Sequence, residues 1–262
     1  MSDRRFIFLS VLLLAAVVGV MSWRGMHPQP GVARQADIVS GYYADVDATA
    51  ALVPDDGLPV TIAQGTFIYA ADKKTGFTFQ GMPPALFAQR QVNVLLRFKG
   101  MPENPAGTFA KMDSLLEGWK RQGINVSIIL LDYRPKTPDF RSYSKFIKAA
   151  KKHFSADPHL FVPVADAAWL DQQQKGELRL LREDAPFFLF DAGRPGTSPE
   201  LLLALESFGY NFQLLLPATG LPAGIGESAL RKNSFFGGSL LTLDPRKPFV
   251  KREEKIGLFP RL

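Results

Sequence analysis

The stretch INVSIILLD (residues 124–132), followed by DFRSYSKFIKAAKKHF (139–154) and LFVPVAD (160–166), decides the fold. The first and third pieces are short apolar runs without polar alternation, which suits strands buried on both faces. Between them Phe140, Tyr143, Phe146, Ile147 and Ala150 recur at helical spacing, while Lys145, Lys148, Lys151 and Lys152 point the other way. Asp139, directly after Pro138, suits the first turn, where a carboxylate meets the positive end of the helix dipole. Strand, helix and strand in that order form the repeating unit of a parallel α/β sheet.

The same unit recurs on either side. Further apolar runs at 60–70, 92–98, 186–191, 211–217 and 235–243 read as strands. Helices are expected over 106–122, 169–183 and 198–208. The first carries Phe109, Met112, Leu115, Leu116 and Trp119 on one stripe and stops at Gly123. Seven strands alternating with about six helices leave two architectures. One is a TIM-like (β/α) barrel, which needs about eight units and at least roughly 200 residues. The other is an open doubly wound sheet. No G-x-G-x-x-G follows the first strand and no G-x-x-x-x-G-K-[ST] occurs, so a barrel, complete or lacking a unit, is the expected fold.

Ahead of the barrel, Arg4 and Arg5 precede an uncharged run from Phe6 to Met21. As a helix this run spans about 24 Å, close to the thickness of a bilayer core. The two arginines favour a cytoplasmic N-terminus. A cleaved signal peptide shares these features but ends in a small-residue site, and no A-x-A pattern follows. Residues 1–23 are therefore expected to be an uncleaved signal anchor. Residues 24–58, with Pro28, Pro30, Gly31, Pro54 and Gly57, read as a linker. The barrel is expected over 59–262. This implies a single-pass inner-membrane protein with its C-terminal domain in the periplasm or outside the cell.

Composition narrows the chemistry. The absence of cysteine excludes disulfides, thiolate metal sites and a cysteine nucleophile. With only His27, His153 and His159, a histidine-rich metal centre is not expected, and no cofactor is implied. No G-x-S-x-G elbow occurs. The formal net charge of +6 is scattered, with modest clusters at Lys145, Lys148, Lys151 and Lys152 and near the C-terminus; these read as solvated outer helices, or as a weak attraction to an anionic membrane or acidic polymer, rather than as a nucleic-acid face.

Sites in both architectures lie at the C-terminal ends of the strands. Three successive strand candidates end in an aspartate: Asp132, Asp166 and Asp191. Arg97 ends an earlier strand, and Tyr133, Arg134, Trp169 and Arg194 follow the aspartates closely. Paired carboxyls about 5–10 Å apart are the machinery of glycoside hydrolysis, and ring faces of Tyr133 and Trp169 could stack on a sugar. The plain alternatives are an Asp that opens a loop or caps the next helix, and an aromatic that fills the core.

The segment Ile128–Phe146 (IILLDYRPKTPDFRSYSKF) resembles an uncharacterised bacterial family of glycoside-hydrolase-like TIM-barrel proteins. That family has a strand ending in Asp-aromatic-Asp, a Pro-Thr turn and a helix carrying a Tyr. Asp132, Tyr133, Pro135, Thr137 and Tyr143 follow this outline, as do Ala168-Trp169-Leu170 and Gly193-Arg194. The resemblance implies an envelope barrel with a link to glycans. One departure matters: Arg134 stands where the family has its second acid. A guanidinium cannot act as general base or nucleophile, and beside Asp132 it should hold that carboxylate charged. Two functions are expected from this. The first is a glycan or envelope-polymer binder with weak or no hydrolysis through Asp132, Asp166 and Asp191. The second is a non-catalytic interaction or assembly protein of the envelope. Convergent carboxylates with exposed aromatics would favour the first; a mouth blocked by an Asp132–Arg134 pair would favour the second.

Overall fold

The computed structural model describes residues 38–69, 75–134, 139–165, 169, 175–193, 205, 207, 209–221 and 225–244. Among these, the strands in chain order are β1 (Val39–Ala44), β2 (Val60–Tyr69), β3 (Thr75–Phe79), β4 (Val92–Phe98) and β5 (Val126–Asp132). They continue with β6 (Leu160–Ala165), β7 (Phe188–Asp191), β8 (Phe212–Leu216) and β9 (Phe236–Leu243). The order around the sheet is β1-β9-β8-β7-β6-β5-β4-β2-β3, and β1 also pairs with β2. That last pairing closes eight parallel strands into a TIM-like barrel. β3 stands outside the ring as an antiparallel hairpin on β2, bonding it from Gly65 onward, past the point where β1 ends opposite Ile62.

The described helices are α1 (Ala106–Arg121), α2 (Phe140–His153), α3 (Lys175–Arg182) and α4 (Glu227–Lys232). Asp139 caps α2 as the sequence suggests: its carboxylate accepts Ser142 N–H at 3.0 Å and Ser142 Oγ–H at 2.6 Å. The stripe expected on α2 is buried from Phe140 through Ala150. On α1, Phe109, Met112 and Trp119 are buried, with Leu115 and Leu116 packed against the same core.

Each strand divides its side chains between two cores, which is why the strands read as unbroken apolar runs. Tyr43, Ala63, Leu95, Leu130, Val164, Leu189, Leu215 and Leu240 belong to the cluster that fills the barrel. Their neighbours in sequence, such as Leu96, Leu131 and Phe190, pack outward with the helices. This alternation decides which strand-end residues can reach the mouth.

Two expectations change. The stretch 24–58 is not linker throughout, because it contains β1 and a 3₁₀ turn at Ala50–Leu52, and the barrel unit begins at Ile38. Tyr42 and Tyr43, in the middle of the supposed linker, are 3% and 4% exposed and lie in a barrel strand. The sequence also gave no sign of β3 or α4. Residues 1–37, where the expected anchor falls, lie outside the described residues, as does most of the expected helix 198–208. No helix among the described residues is long and apolar enough to cross a membrane.

Candidate functional site at the barrel mouth

Because the eight barrel strands are parallel, their C-terminal ends share one mouth. β4, β5, β6 and β7 are consecutive neighbours, and Arg97 is in register with Asp132. Residues two positions beyond an inward-facing core residue reach that mouth: Asp45 after Tyr43, Arg97 after Leu95, Asp132 after Leu130, and Asp191 after Leu189.

These side chains form a continuous charged network. Arg134 grips Asp132 with two nitrogens, Nε to Oδ1 at 2.5 Å and Nη2 to Oδ2 at 2.7 Å. Its third nitrogen, Nη1, donates to Asp191 Oδ2 at 2.6 Å. The fork of one guanidinium therefore spans the two carboxylates and holds their oxygens within roughly 8 Å of each other. Asp191 Oδ1 also accepts the backbone N–H of Gly193 at 3.0 Å. On the other flank, Arg97 Nη2 donates to Asp45 Oδ1 at 2.7 Å and to the Tyr43 hydroxyl at 3.0 Å, while its Nε lies 3.7 Å from Asp132.

The network is graded in exposure. Asp132 and Arg134 side chains are 7% and 11% exposed, against 29% for Arg97 and 42% for Asp45. Burial works against the charge of Arg134, but the hydrogen bonds and charges of Asp132, and then of Asp191, raise it above its ordinary range. Burial pushes the Tyr43 hydroxyl well above its usual value, partly offset by Arg97, so it remains a neutral phenol. Below the mouth, the fully buried Tyr143 hydroxyl donates to Leu131 O at 2.7 Å and fixes α2 against the end of β5.

The sequence-derived candidates separate into three groups. Arg97, Asp132, Arg134 and Asp191 come together in one network. Asp166 and Arg194 lie outside the described residues. Tyr133 and Trp169 are corrected as sugar platforms, because both rings are core. Tyr133 is 7% exposed and meets Tyr143 edge-on at 5.4 Å. Trp169 is 1% exposed, with Phe140 and Tyr143 against it at 4.9 and 5.9 Å. The physical reason for Tyr133 is alternation, since an inward Asp132 sends the next residue outward. Asp45 and Tyr43 were missed because β1 was missed.

The described residues hold no metal-binding group of three or more His, Asp or Glu. His153 and His159 sit at the opposite end of the barrel, where α2 ends and β6 begins. Clefts of about 180 and 200 Å³ flank His159 there, away from the strand ends that carry the charged network.

This architecture is shared with a solved structure. The barrel is similar to that of a chitinase. The structure is the ICChI chitinase from Ipomoea carnea, with a TM-score of 0.51 and 12% identity over 77% of this chain and 94% of that one. Ostrinia furnacalis Group II chitinase catalytic domain 2 follows at a TM-score of 0.47, 8% identity, and 69% and 64% coverage. Endo-β-N-acetylglucosaminidase from Cordyceps militaris aligns at 0.43, 11% identity, and 78% and 81% coverage. At such identities the likeness to the first shows a shared fold, and fold alone does not carry activity. No family model and no curated protein sequence matches the chain.

Proposed function

We propose that this chain is a glycoside-hydrolase-like barrel that binds a glycan or cell-envelope polymer at its mouth without cleaving it, held to the outer side of the inner membrane by residues 1–23. The observation that carries this reading is the Arg134 fork. A two-carboxylate glycosidase needs one carboxylic acid with a proton to give and a second carboxylate with free lone pairs, with the scissile bond between them. Here the gap between Asp132 and Asp191 is filled by a guanidinium, and both oxygens of Asp132 are already accepting. Such a pair is suited to accepting hydrogen bonds from hydroxyls at its edges, and Arg97 and Asp45 offer the exposed donor and acceptor beside it. The barrel shared with a chitinase supports a sugar polymer as the ligand class.

A second reading is favoured by a specific observation. The two aromatics that would have stacked on a sugar are buried, and the Asp132–Arg134 ion pair stands at the strand ends, as a non-catalytic assembly protein of the envelope would allow. Binding to insoluble chitin and to peptidoglycan sacculi, compared between the natural chain and Asp132→Asn, separates the two. Under the glycan reading the natural chain sediments with at least one polymer, the variant does so more weakly, and neither releases reducing ends. An assembly protein sediments with neither. Turnover by the natural chain that Asp132→Asn abolishes while leaving binding intact would show a working hydrolase and overturn both.

A further inference from the structure

The helices on the barrel's flank do not share its charge evenly. Residues 140–153 and 175–184, which span α2, α3 and the turn after it, hold eight Lys and Arg against three Asp and Glu, a net +5 out of +6 for the whole chain. α2 carries no acid at all. On its exposed side Arg141, Lys145, Lys148 and Lys152 are spaced four, three and four residues apart, which stacks them into one ridge about 16 Å long. Among ion pairs between described residues, Lys148 is the one of these four that takes part, at 3.6 Å to the buried Asp184. Like charges at such spacing repel one another and weaken the helix by a few tenths of a kcal/mol per pair. α1 and α4 avoid that cost. α1 interleaves Asp113 and Glu117 with its lysines, and α4 pairs Glu227 with Arg231 four residues on.

α3 extends the ridge into a surface. It packs beside α2, with Ser144 Oγ donating to Leu180 O at 3.3 Å and to Asp184 at 2.8 Å. Arg179 and Arg182 on α3 are exposed, and between them Leu180 is 40% exposed. A broad cationic face with a projecting leucine has the composition of a membrane-surface contact, with cations for anionic headgroups and an aliphatic group for the interface. The sequence expects an apolar anchor at residues 1–23, ahead of the barrel unit that begins at Ile38, so a bilayer is an expected neighbour of this protein.

We infer that the α2–α3 flank docks the barrel onto an anionic phospholipid surface through Arg141, Lys145, Lys148 and Lys152, with Arg179 and Leu180 beside them. This does not depend on the mouth binding a glycan. The chain has no cysteine, so a fluorophore can be placed at a single position, Leu180→Cys on the flank or Ser228→Cys on α4 as a control. The full chain is reconstituted with vesicles of phosphatidylcholine alone, or with a third phosphatidylglycerol, each carrying a headgroup quencher. Binding to the first vesicle reports the anchor, and the difference between the two reports the flank. Quenching at position 180 should rise on the anionic vesicle, and quenching at 228 should not. Lys145→Gln with Lys152→Gln should lower the ratio of docked to undocked barrel by about 25-fold, taking about fivefold per lysine near such a surface. Half-molar salt should do the same. Equal melting temperatures for the parent and the double variant confirm that the fold is kept. Equal quenching on both vesicles, an unchanged double variant, or a chain that floats with neither vesicle overturns the inference. So does displacement of the label by soluble polyaspartate to the same degree on both vesicles, which would assign the flank to an acidic polymer.

Discussion

Replacing Arg134 with Met tests whether the mouth network belongs to the fold. Methionine keeps much of the length and apolar stem of arginine but removes all three hydrogen bonds to Asp132 and Asp191. Two carboxylates, 7% and 16% exposed, would then face each other without their shared cation. Removing one partner of a buried ion pair costs about 3–5 kcal/mol. Arg97 remains 3.7 Å from Asp132 and Gly193 N–H still bonds Asp191, which places this variant near the lower end, about 3 kcal/mol. For a domain of this size that is a fall in melting temperature of roughly 6–12 °C at pH 7. Adding Asp132→Asn and Asp191→Asn to Arg134→Met should recover most of it, since neutral groups need no cation. Circular dichroism melts at pH 7 measure all of this. A single variant that melts within about 2 °C of the natural chain at pH 7 would refute the reasoning, because the fork would then be a solvated surface contact worth about 0–1 kcal/mol.

Other outcomes follow from the same structure. Tyr143→Phe leaves Leu131 O without its buried donor and should cost about 1–2 kcal/mol in denaturant unfolding. Asp139→Ala removes the α2 cap and should cost about 1 kcal/mol at neutral pH. Bonds from Ser142 hold the Asp139 carboxyl below its ordinary range, so the cap's contribution is present above the unfolded value and disappears as pH falls through the folded one. The variant and parent should therefore converge in acid. Gly81→Ala, with φ at +90° and a Cβ that would lie 2.0 Å from Ala63 O, should cost at least about 2 kcal/mol or abolish folding, read by soluble yield and melting. A reporter active only outside the cytoplasm, fused after Leu262, should be active, and an inactive one would reject the expected topology.

Much of the barrel was legible because strands buried on both faces are apolar throughout. The same property hid what lies at their ends. In ILLDYR nothing in the composition says whether Asp132 or Tyr133 faces the mouth; only the parity of the inward residues does, and it assigns Asp132 to the mouth and Tyr133 to the core. β1 was missed because VSGYYA is six residues long, carries Ser and Gly, and sits among prolines and aspartates that read as linker. Closure itself was the available signal, since seven strands cannot complete a ring of eight. Missing β1 also hid Asp45 and Tyr43. The Asp132–Arg134 contact was legible two residues apart in sequence, whereas its extension to Asp191, fifty-seven residues on, depends on β5 and β7 ending at one mouth.

The central claim is that this mouth binds a sugar chain and does not cut it. One proton NMR titration of soluble chito-oligosaccharide with the natural chain reads both halves together. The account expects ligand lines that broaden with added protein, no new reducing-end anomeric signals over many hours, and less broadening with Asp132→Asn. New anomeric signals that vanish with Asp132→Asn would contradict it.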